Sequence, residues 1–378
     1  MNLSETQEVL EAIGSLSSRG RRMALATITS VRGSTYRRPG ARLLVPDDGP
    51  ALGNLSGGCL EGQVEAIARD VMSEGRPRLE FYDLTADDEV VWGWGLGCNG
   101  AIEVLIEPAE AAAEIAQALA TAIRDERRVA VGTVLDSSVE DVARGERVLR
   151  VDGDREGALG AEGPRSQIDA AVANALLSGT GGIETVEVGR GTLRLFIEVI
   201  EPPLRLLVCG AGHDAIPLVR HASLLGWKVS VVDDREAFLT EDRFPGASQF
   251  ILAEPAAAAE KAGVDDRTYA VVMSHNYLRD RDYLRGFLGS TVAYIGMLGP
   301  RARLERLLDE VAADGVEPTE DDRAKLYGPA GLDLGGEGPD EIAAAIVGEV
   351  LAISRRRSGG FLRDRPGTIH DGSRVATG

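Results

Sequence analysis

Two of the three cysteines in this chain lie in glycine-rich turns, where a thiol could do chemistry. Cys59 belongs to residues 53–62 (GNLSGGCLEG), just before a helical pattern at 63–72, and Cys98 belongs to residues 93–100 (GWGLGCNG). Glycine lets the backbone approach a ligand closely, and a helix N-terminus favours a thiolate or an anion. We therefore interpret Cys59 and Cys98 as candidate catalytic residues that hold a soft, oxidisable or anionic group. The alternative is a small buried residue beside glycines.

The elements that must position these turns follow an α/β pattern. A helical segment over residues 5–16 precedes apolar segments at 23–31, 41–46 and 101–108 that are typical of strands. The last of these alternates apolar and acidic residues at first and then stops at Pro108, which indicates a half-buried strand.

The following segment repeats this order weakly, which predicts an internal duplication. Residues 129–135 resemble the first strand, a helical stretch follows at 168–177, and a later strand matches the Glu107-Pro108 ending with Glu201-Pro202. Residues 163–166 occupy the region of the Cys59 turn and contain no cysteine. If the halves are related, one has kept the chemistry and the other has become a scaffold. Chance similarity of short strands is the alternative.

A dinucleotide-type turn follows Pro202 and Pro203. The apolar strand over residues 204–209 runs into GAGHDA, the G-x-G-x-x-A form of the Rossmann fingerprint, and a helical pattern and a second strand ending in an acid follow. This context predicts a C-terminal Rossmann-type doubly wound parallel sheet after the duplicated N-terminal α/β region. The residues predicted to bind the dinucleotide are Gly210, Gly212, His213, Ala215, Asp233 and Arg235.

Two further strands of this region end in polar side chains. His275 follows the strand over residues 269–273, and Arg301 follows the strand over 294–298. Ligands of doubly wound sheets bind at the carboxyl ends of strands, so both residues are candidates to meet a ligand if the strands are parallel. Asp233 favours NAD, whereas Arg235 leaves room for the 2′-phosphate of NADP. A Rossmann fold kept for assembly or for another nucleotide is the alternative.

Length and composition narrow the class of protein. The chain has 378 residues, which predicts two or three domains, and we place them at residues 1–108, 109–201 and 202–378. Its formal charge of −19 argues against general nucleic-acid binding and against an anionic membrane surface. Three cysteines form no disulfide framework, and no apolar run is long enough to span a bilayer. We expect a soluble cytoplasmic protein.

Motifs along nearly the whole chain resemble those of the XdhC/CoxI family of accessory proteins for molybdenum hydroxylases. The asparagine at position 99 is a slight departure from the small residue expected there. The matching segments are residues 33–41 (GSTYRRPGA), 56–62 (SGGCLEG), 95–100 (GLGCNG), 210–215 (GAGHDA), 274–276 (SHN), 296–301 (GMLGPR) and 331–333 (GLD).

The resemblance implies that the chain binds molybdenum cofactor, supports its sulfuration and inserts it into the apoenzyme of a xanthine dehydrogenase-type hydroxylase. The implied partners are that apoenzyme and a cysteine desulfurase, and the implied assembly is a homodimer. Molybdopterin is anionic through its phosphate and soft through its dithiolene and metal. Arg37 and Arg38 are suited to the phosphate, and Cys59 or Cys98 to a sulfur contact.

Two other functions stay open at this point. One is an NAD(P)-dependent oxidoreductase that uses His275 or Cys98 as its acid or base, and the other is a nucleotide-sensing scaffold without catalysis. The chain lacks the equipment of a complete xanthine dehydrogenase, because three cysteines cannot supply the iron–sulfur ligands of such an enzyme. We assign no metal-ligand set and favour a cofactor-maturation factor over a catalyst.

Overall fold

The computed structural model describes residues 3–58, 60–83, 99–109, 113–153 and 165–366. The chain folds into two compact units, Met1–Pro202 and Pro203–Arg365. The boundary falls between the two adjacent prolines, which lack the N–H group that a strand needs to extend its ladder. Across the described residues, every helix is too short or too polar to cross a membrane.

The first half of the N-terminal unit is an antiparallel sheet that carries one helix on its face. Its elements are α1 (Leu3–Ser18), β1 (Met23–Ser34), β2 (Arg42–Pro46), β3 (Leu52–Gly53), α2 (Glu61–Glu74), β4 (Arg78–Asp83) and β5 (Asn99–Pro108). The strand order is β3-β2-β1-β5-β4. Val64, Ala68 and Val71 recur at helical spacing, so α2 buries one stripe against the sheet.

The second half of this unit is built from the same kinds of element. They are α3 (Ala113–Arg124), β6 (Val129–Ser137), β7 (Arg147–Val151), α4 (Arg165–Ser178), β8 (Gly182–Val188) and β9 (Gly191–Ile200). The strand order β7-β6-β9-β8 repeats the order β2-β1-β5-β4 of the first half. The helix that precedes each sheet also corresponds, because α1 and α3 pack into one shared core.

Strand register shows that the halves are equivalent in detail. The pairing of β1 with β5 shifts between Ile28 and Ser30, and the pairing of β6 with β9 shifts between Val134 and Asp136. A β-bulge at the same place in two sheets of the same order is a conserved structural device and not a chance feature. The N-terminal region is therefore a duplicated α/β unit, as its sequence predicts.

The register corrects one detail of the sequence comparison. Leu25 lies opposite Glu107 in the first sheet, and its counterpart Val131 lies opposite Glu198 in the second. Glu198, and not Glu201, therefore corresponds to Glu107. The matching Glu-Pro endings were misleading because Glu201 and Pro202 lie beyond the end of β9.

The C-terminal unit is a parallel sheet covered by helices on both faces. Its strand order is that of a doubly wound Rossmann-type fold, β12-β11-β10-β13-β14-β15, with every neighbouring pair parallel. The elements are β10 (Arg205–Cys209), α5 (Ala215–Leu224), β11 (Lys228–Asp233), β12 (Gln249–Leu252), α6 (Ala258–Ala262), β13 (Thr268–Val272), α7 (Tyr277–Phe287), β14 (Tyr294–Met297), α8 (Arg301–Ala313), α9 (Glu320–Ala324), β15 (Leu326–Tyr327) and α10 (Pro339–Ser354).

Alternate residues of the central strand β10 face opposite cores. Leu206 and Val208 pack in a cluster with residues of α5 and α10, whereas Leu207 and Cys209 pack in a second cluster with residues of α7 and α8. Such a strand is apolar along its whole length because both of its faces are buried. The sheet thereby brings the ends of β10, β11, β13 and β14 to one edge.

Candidate functional site

The glycine turn of the first half is organised by one carboxylate, that of Glu61. Its Oε1 accepts hydrogen bonds from the backbone N–H groups of Leu55 and Ser56, at 3.1 and 2.8 Å. Its Oε2 accepts from the Ser56 hydroxyl at 2.6 Å and from the N–H groups of Gly58 and Leu60 at 2.9 and 3.2 Å. The turn therefore wraps around an anion supplied by the first residue of α2.

The charge of Glu61 is stable at all ordinary pH values. Burial raises the pKa of this carboxyl, but the hydrogen bonds from the Ser56 hydroxyl, the Ser56 N–H and neighbouring loop N–H groups outweigh burial and lower the pKa to about 2. Sequence reasoning missed this residue. An acid at the first position of a helix, directly after a glycine-rich turn, was the available signal.

Three motif segments of the first half meet at one end of its sheet. At the end of β1, Gly33 and Ser34 pair with Gly100 and Asn99 at the start of β5. The loop that leaves β1 touches the glycine turn, because Arg37 Nε donates to the Asn54 carbonyl oxygen at 3.3 Å. Cys59 and Cys98, the two predicted catalytic residues, lie outside the described residues.

The two arginines predicted to hold a phosphate have different surroundings. Arg37 is already paired with Glu5, whose Oε2 lies 2.5 Å from Arg37 Nη2. Arg38 Nε is buried, and no described residue accepts a hydrogen bond from it. Burial lowers the pKa of Arg38 because nothing compensates its desolvation. Arg38 is thus the arginine of this motif that fits an anion from outside the chain.

A cavity inside the N-terminal unit is too small for a cofactor. It measures about 30 Å³, which suits one or two water molecules, whereas ligand pockets measure roughly 300–1,000 Å³. The two halves contribute matching residues to its lining, among them Thr27 and Thr133, and Arg42 and Arg147. The cavity therefore belongs to the junction of the halves and not to the candidate site.

In the C-terminal unit, the glycine turn runs directly along the end of β13. Gly210 has a φ of 109°, and a Cβ on this residue would lie 2.7 Å from the Ser274 Cα, so only glycine fits. A Cβ on Gly212 would lie 3.6 Å from the His275 Cδ2. His213 is exposed, and its carbonyl oxygen accepts a hydrogen bond from Ile216 at the start of α5.

Asp233, predicted to bind a ribose, lies at the expected strand end, but its carboxylate is already engaged. The residue is 2 % exposed. Its Oδ2 accepts from the Ala211 N–H at 2.7 Å, and both oxygens accept from the Arg235 guanidinium at 2.8 and 2.9 Å. Burial raises its pKa, but the bonds from Arg235 and Ala211 lower it by more. Asp233 therefore fixes the glycine turn and Arg235.

The structure brings His275 to this turn and leaves Arg301 on the surface. His275 has a φ of 56°, unusual for a residue with a side chain, and its Nε2 lies 3.0 Å from Asp214 Oδ2. Arg301 is the first residue of α8 and is exposed. Ala215 is buried as the first residue of α5. The strands are parallel, as the prediction for His275 and Arg301 required.

A second network at this edge was not predicted. Asp280 is 2 % exposed, accepts from the Ser274 hydroxyl at 2.5 Å and pairs with Arg303. This network ties the end of β13 to the start of α8. It lies near Cys209, whose pKa is raised by burial and further by the charge of Asp280, so this third cysteine is unsuited to thiolate chemistry.

Among the described residues, no group of three or more His, Cys, Asp or Glu side chains is placed to hold a metal ion. This finding does not reach Cys59 or Cys98. The chemistry-bearing positions thus fall into two sets, one around the glycine turn of the N-terminal unit and one along the strand ends of the C-terminal unit.

Comparison with known proteins is consistent with both sets. Residues 16–83 match the XdhC and CoxI family, and residues 206–350 match the XdhC Rossmann domain. A protein of Bacillus subtilis (strain 168), named as one of the probable subunits of xanthine dehydrogenase, is 32 % identical over 88 % of this chain and 93 % of its own length.

Two further proteins extend the comparison. The molybdenum cofactor insertion chaperone PaoD of Escherichia coli (strain K12) is 24 % identical over 88 % of this chain and 84 % of its own length. The crystal structure of a xanthine dehydrogenase from Bacillus halodurans is 30 % identical, covers 92 % of this chain and 96 % of its own, and superposes with a TM-score of 0.74. The protein belongs to the XdhC and CoxI family.

Proposed function

We propose that this protein is an accessory factor that binds molybdenum cofactor, supports its sulfuration and inserts it into a xanthine dehydrogenase-type molybdenum hydroxylase. Family membership supports an accessory role in general, since one relative is named an insertion chaperone and another is named as part of a xanthine dehydrogenase. The partners under this proposal are the hydroxylase apoenzyme and a cysteine desulfurase, and the protein acts as a cytoplasmic homodimer.

The observation that carries the proposal is the desolvated guanidinium of Arg38. A buried cation without an acceptor is costly, and a ligand anion removes that cost. Molybdopterin has a phosphate, and arginine binds phosphate with strong charge-assisted hydrogen bonds. Arg38 belongs to the loop that hydrogen-bonds the glycine turn, so the phosphate would be held beside that turn. The residues present therefore fit the anionic end of the cofactor.

The thiols of the same region suit the other end. When bound, the cofactor supplies molybdenum held by a dithiolene, which is a soft centre that accepts sulfur ligands. Thiolate is the soft ligand that proteins offer to such centres. Gly58 and Leu60 flank Cys59, and both donate N–H groups to Glu61, so this chain fixes the backbone on either side of the thiol. Asn99, next to Cys98, is fixed by its pairing with Ser34.

The test is the pterin that copurifies with the full chain from cells that make molybdopterin, measured by fluorescence after oxidation. Arg38→Ala should lower the retained pterin by about tenfold, since a hydrogen bond to a charged group is worth roughly 1.5–3 kcal/mol. Arg19→Ala, an exposed arginine at the end of α1, is the matched control and should retain the wild-type amount. Wild-type protein without pterin, or full retention by Arg38→Ala, contradicts the proposal.

A second candidate is binding of NAD or NADP at the carboxyl edge of the C-terminal sheet. The favouring observation is the close approach of Gly210 to Ser274, which makes the tight turn that a pyrophosphate requires. The fit is partial, because the Asp233 carboxylate is engaged by Ala211 and Arg235 and presents no free oxygen to a ribose. This activity would make the protein an NAD(P)-dependent oxidoreductase or a nucleotide-sensing scaffold.

Calorimetry with NAD and NADP tests the second candidate. Gly212→Val should abolish binding, because its methyl groups fill the approach to the turn. Gly212→Ala is the matched control, since its Cβ makes only ordinary contact with His275. The candidate fails if the native protein binds neither nucleotide at millimolar concentration.

A further inference from the structure

Tyr36 is a large aromatic side chain that the fold holds in the open. It lies in the loop between β1 and β2, and 69 % of it is exposed. No described residue hydrogen-bonds its hydroxyl group. Exposing an aromatic ring forgoes the stabilisation that its burial would bring, so its retention in a fixed loop indicates a contact with something outside the chain.

One side of the Tyr36 ring rests on the glycine turn. A Cβ added to Gly57 would lie 3.4, 3.5 and 3.7 Å from the ring atoms Cε1, Cδ1 and Cζ. Gly57 has a φ of 80°, a conformation that glycine adopts without strain. Because Gly57 has no side chain, the ring can lie directly against the backbone two residues before Cys59.

The loop itself is braced, so the ring position is set before any ligand arrives. The Thr35 hydroxyl donates to the Arg37 carbonyl oxygen at 2.8 Å, and Arg37 Nε donates to the Asn54 carbonyl oxygen. The Gly57 N–H donates to Asn54 Oδ1 at 3.0 Å. Both layers of the Tyr36–Gly57 contact are therefore tied to the same residue, Asn54.

The corresponding loop of the second half shows what this region looks like without the platform. It runs between β6 and β7, and its sequence at residues 138–145 (SVEDVARG) contains no aromatic residue. Val142 of this loop is buried in the core of the second half. The same scaffold position therefore carries a buried aliphatic residue in one half and an exposed ring with two arginines in the other.

We infer that Tyr36 is a stacking platform for a flat, bicyclic nitrogen heteroaromatic ring, and this inference rests on the proposed function, in which that ring is the pterin of molybdopterin. The free face of Tyr36 takes the ring by π-stacking, which is tolerant of ring identity and needs no hydroxyl group. Arg38, two residues further along the same loop, takes the phosphate. The platform thereby orients the ring beside the turn that contains Cys59.

The experiment measures the rate at which the purified full chain releases molybdopterin into excess buffer. Tyr36→Ala and Tyr36→Leu should release it about tenfold faster than wild type, which corresponds to about 1.4 kcal/mol. Tyr36→Phe should match wild type within about twofold, since only the hydroxyl group is lost. Phe81→Ala is the matched control, because Phe81 is an exposed aromatic residue on β4, 58 % exposed, and should also match wild type.

The outcomes separate this inference from the proposed function. Wild-type rates for Tyr36→Ala and Tyr36→Leu, with retention still lost in Arg38→Ala, overturn the stacking platform and leave the proposed function standing. Wild-type protein without molybdopterin overturns both. A Tyr36→Ala variant that releases molybdopterin at the wild-type rate but no longer activates the hydroxylase assigns Tyr36 to a protein contact and also overturns the platform.

Discussion

The two halves of the N-terminal unit have the same strand order, the same β-bulge and the same helix on the sheet, yet only one contains the candidate site. Arg42 and Arg147 occupy matching positions, and each donates to the carbonyl oxygen of a matching glycine, Gly40 or Gly145. The framework has therefore been kept on both sides. The differences lie in the loops, which shows that the chemistry is a property of the loops on a shared scaffold.

The kept residues bind the halves to each other. Arg42 of the first half pairs with Glu198 of the second, and Arg147 of the second pairs with Glu107 of the first. All four side chains are at most 10 % exposed. The two ion pairs cross between the halves symmetrically, so neither half satisfies its own buried charges.

The loops before the two sheet helices differ in charge. Helices α2 and α4 each have 14 residues, and the first is Glu61 in one and Arg165 in the other. Arg165 Nε donates to Glu146 at 3.0 Å, whereas Glu61 gathers the N–H groups of the glycine turn. Arg165 therefore matches Glu61, and not the Cys59 region that the sequence comparison suggested.

The largest effect is expected from breaking the crossed ion pairs. Glu107→Ala or Glu198→Ala leaves a buried arginine without its partner, which should cost about 3–5 kcal/mol of unfolding free energy. Urea unfolding followed by circular dichroism measures this loss, with the exposed helix pair partner Glu65→Ala as the control. Equal costs at positions 107 and 198 support the equivalence of the halves, and a cost below about 1 kcal/mol at either position contradicts it.

A smaller effect is expected where the halves differ. Glu61→Gln should destabilise the protein by about 2 kcal/mol, because the loop N–H groups lose a charged acceptor. Arg165→Gln, at the matching position, should change stability by less than about 0.5 kcal/mol. Comparable costs for the two variants would remove the distinction between an organised turn and a scaffold turn.

The pH dependence of the Glu61 effect has a defined sign. Its folded pKa of about 2 is below the ordinary value of 4.5, so its contribution is complete above pH 4.5 and is lost as the pH falls towards 2. The difference in unfolding free energy between wild type and Glu61→Gln should therefore shrink between pH 5 and pH 3. A difference that stays constant over this interval contradicts the assignment.

The smallest effect concerns an ion pair that is unlike on its two sides. Glu103 follows the bulge in the first sheet, Arg194 takes the matching place in the second, and the two side chains form two hydrogen bonds of 2.9 Å. Two identical halves would bring like charges together here. Glu103→Arg and Arg194→Glu should each cost about 1 kcal/mol, and the double reversal should restore most of it. Additive losses in the double variant contradict this pairing.

The sequence predicted the elements better than the contacts between them. The glycine fingerprint, the parallel sheet and the placement of His275 at a strand end follow from local patterns, and the structure has all three. The counterpart of Glu107 was placed wrongly, because strand register is set by turn geometry and partner strands and not by local composition. The engagement of Asp233 by Arg235 was invisible for a similar reason, since a strand-end acid looks the same whether it is free or paired.

The central claim is that the first half alone carries the cofactor chemistry. The most direct test is the molybdopterin content of the full chain in which both Cys59 and Cys98 are changed to serine, measured together with activation of the hydroxylase. The account predicts that the double variant folds, retains little molybdopterin and fails to activate its client, while the buried-cysteine control Cys209→Ala retains the wild-type amount. Unchanged molybdopterin content and client activation in the double variant would contradict it.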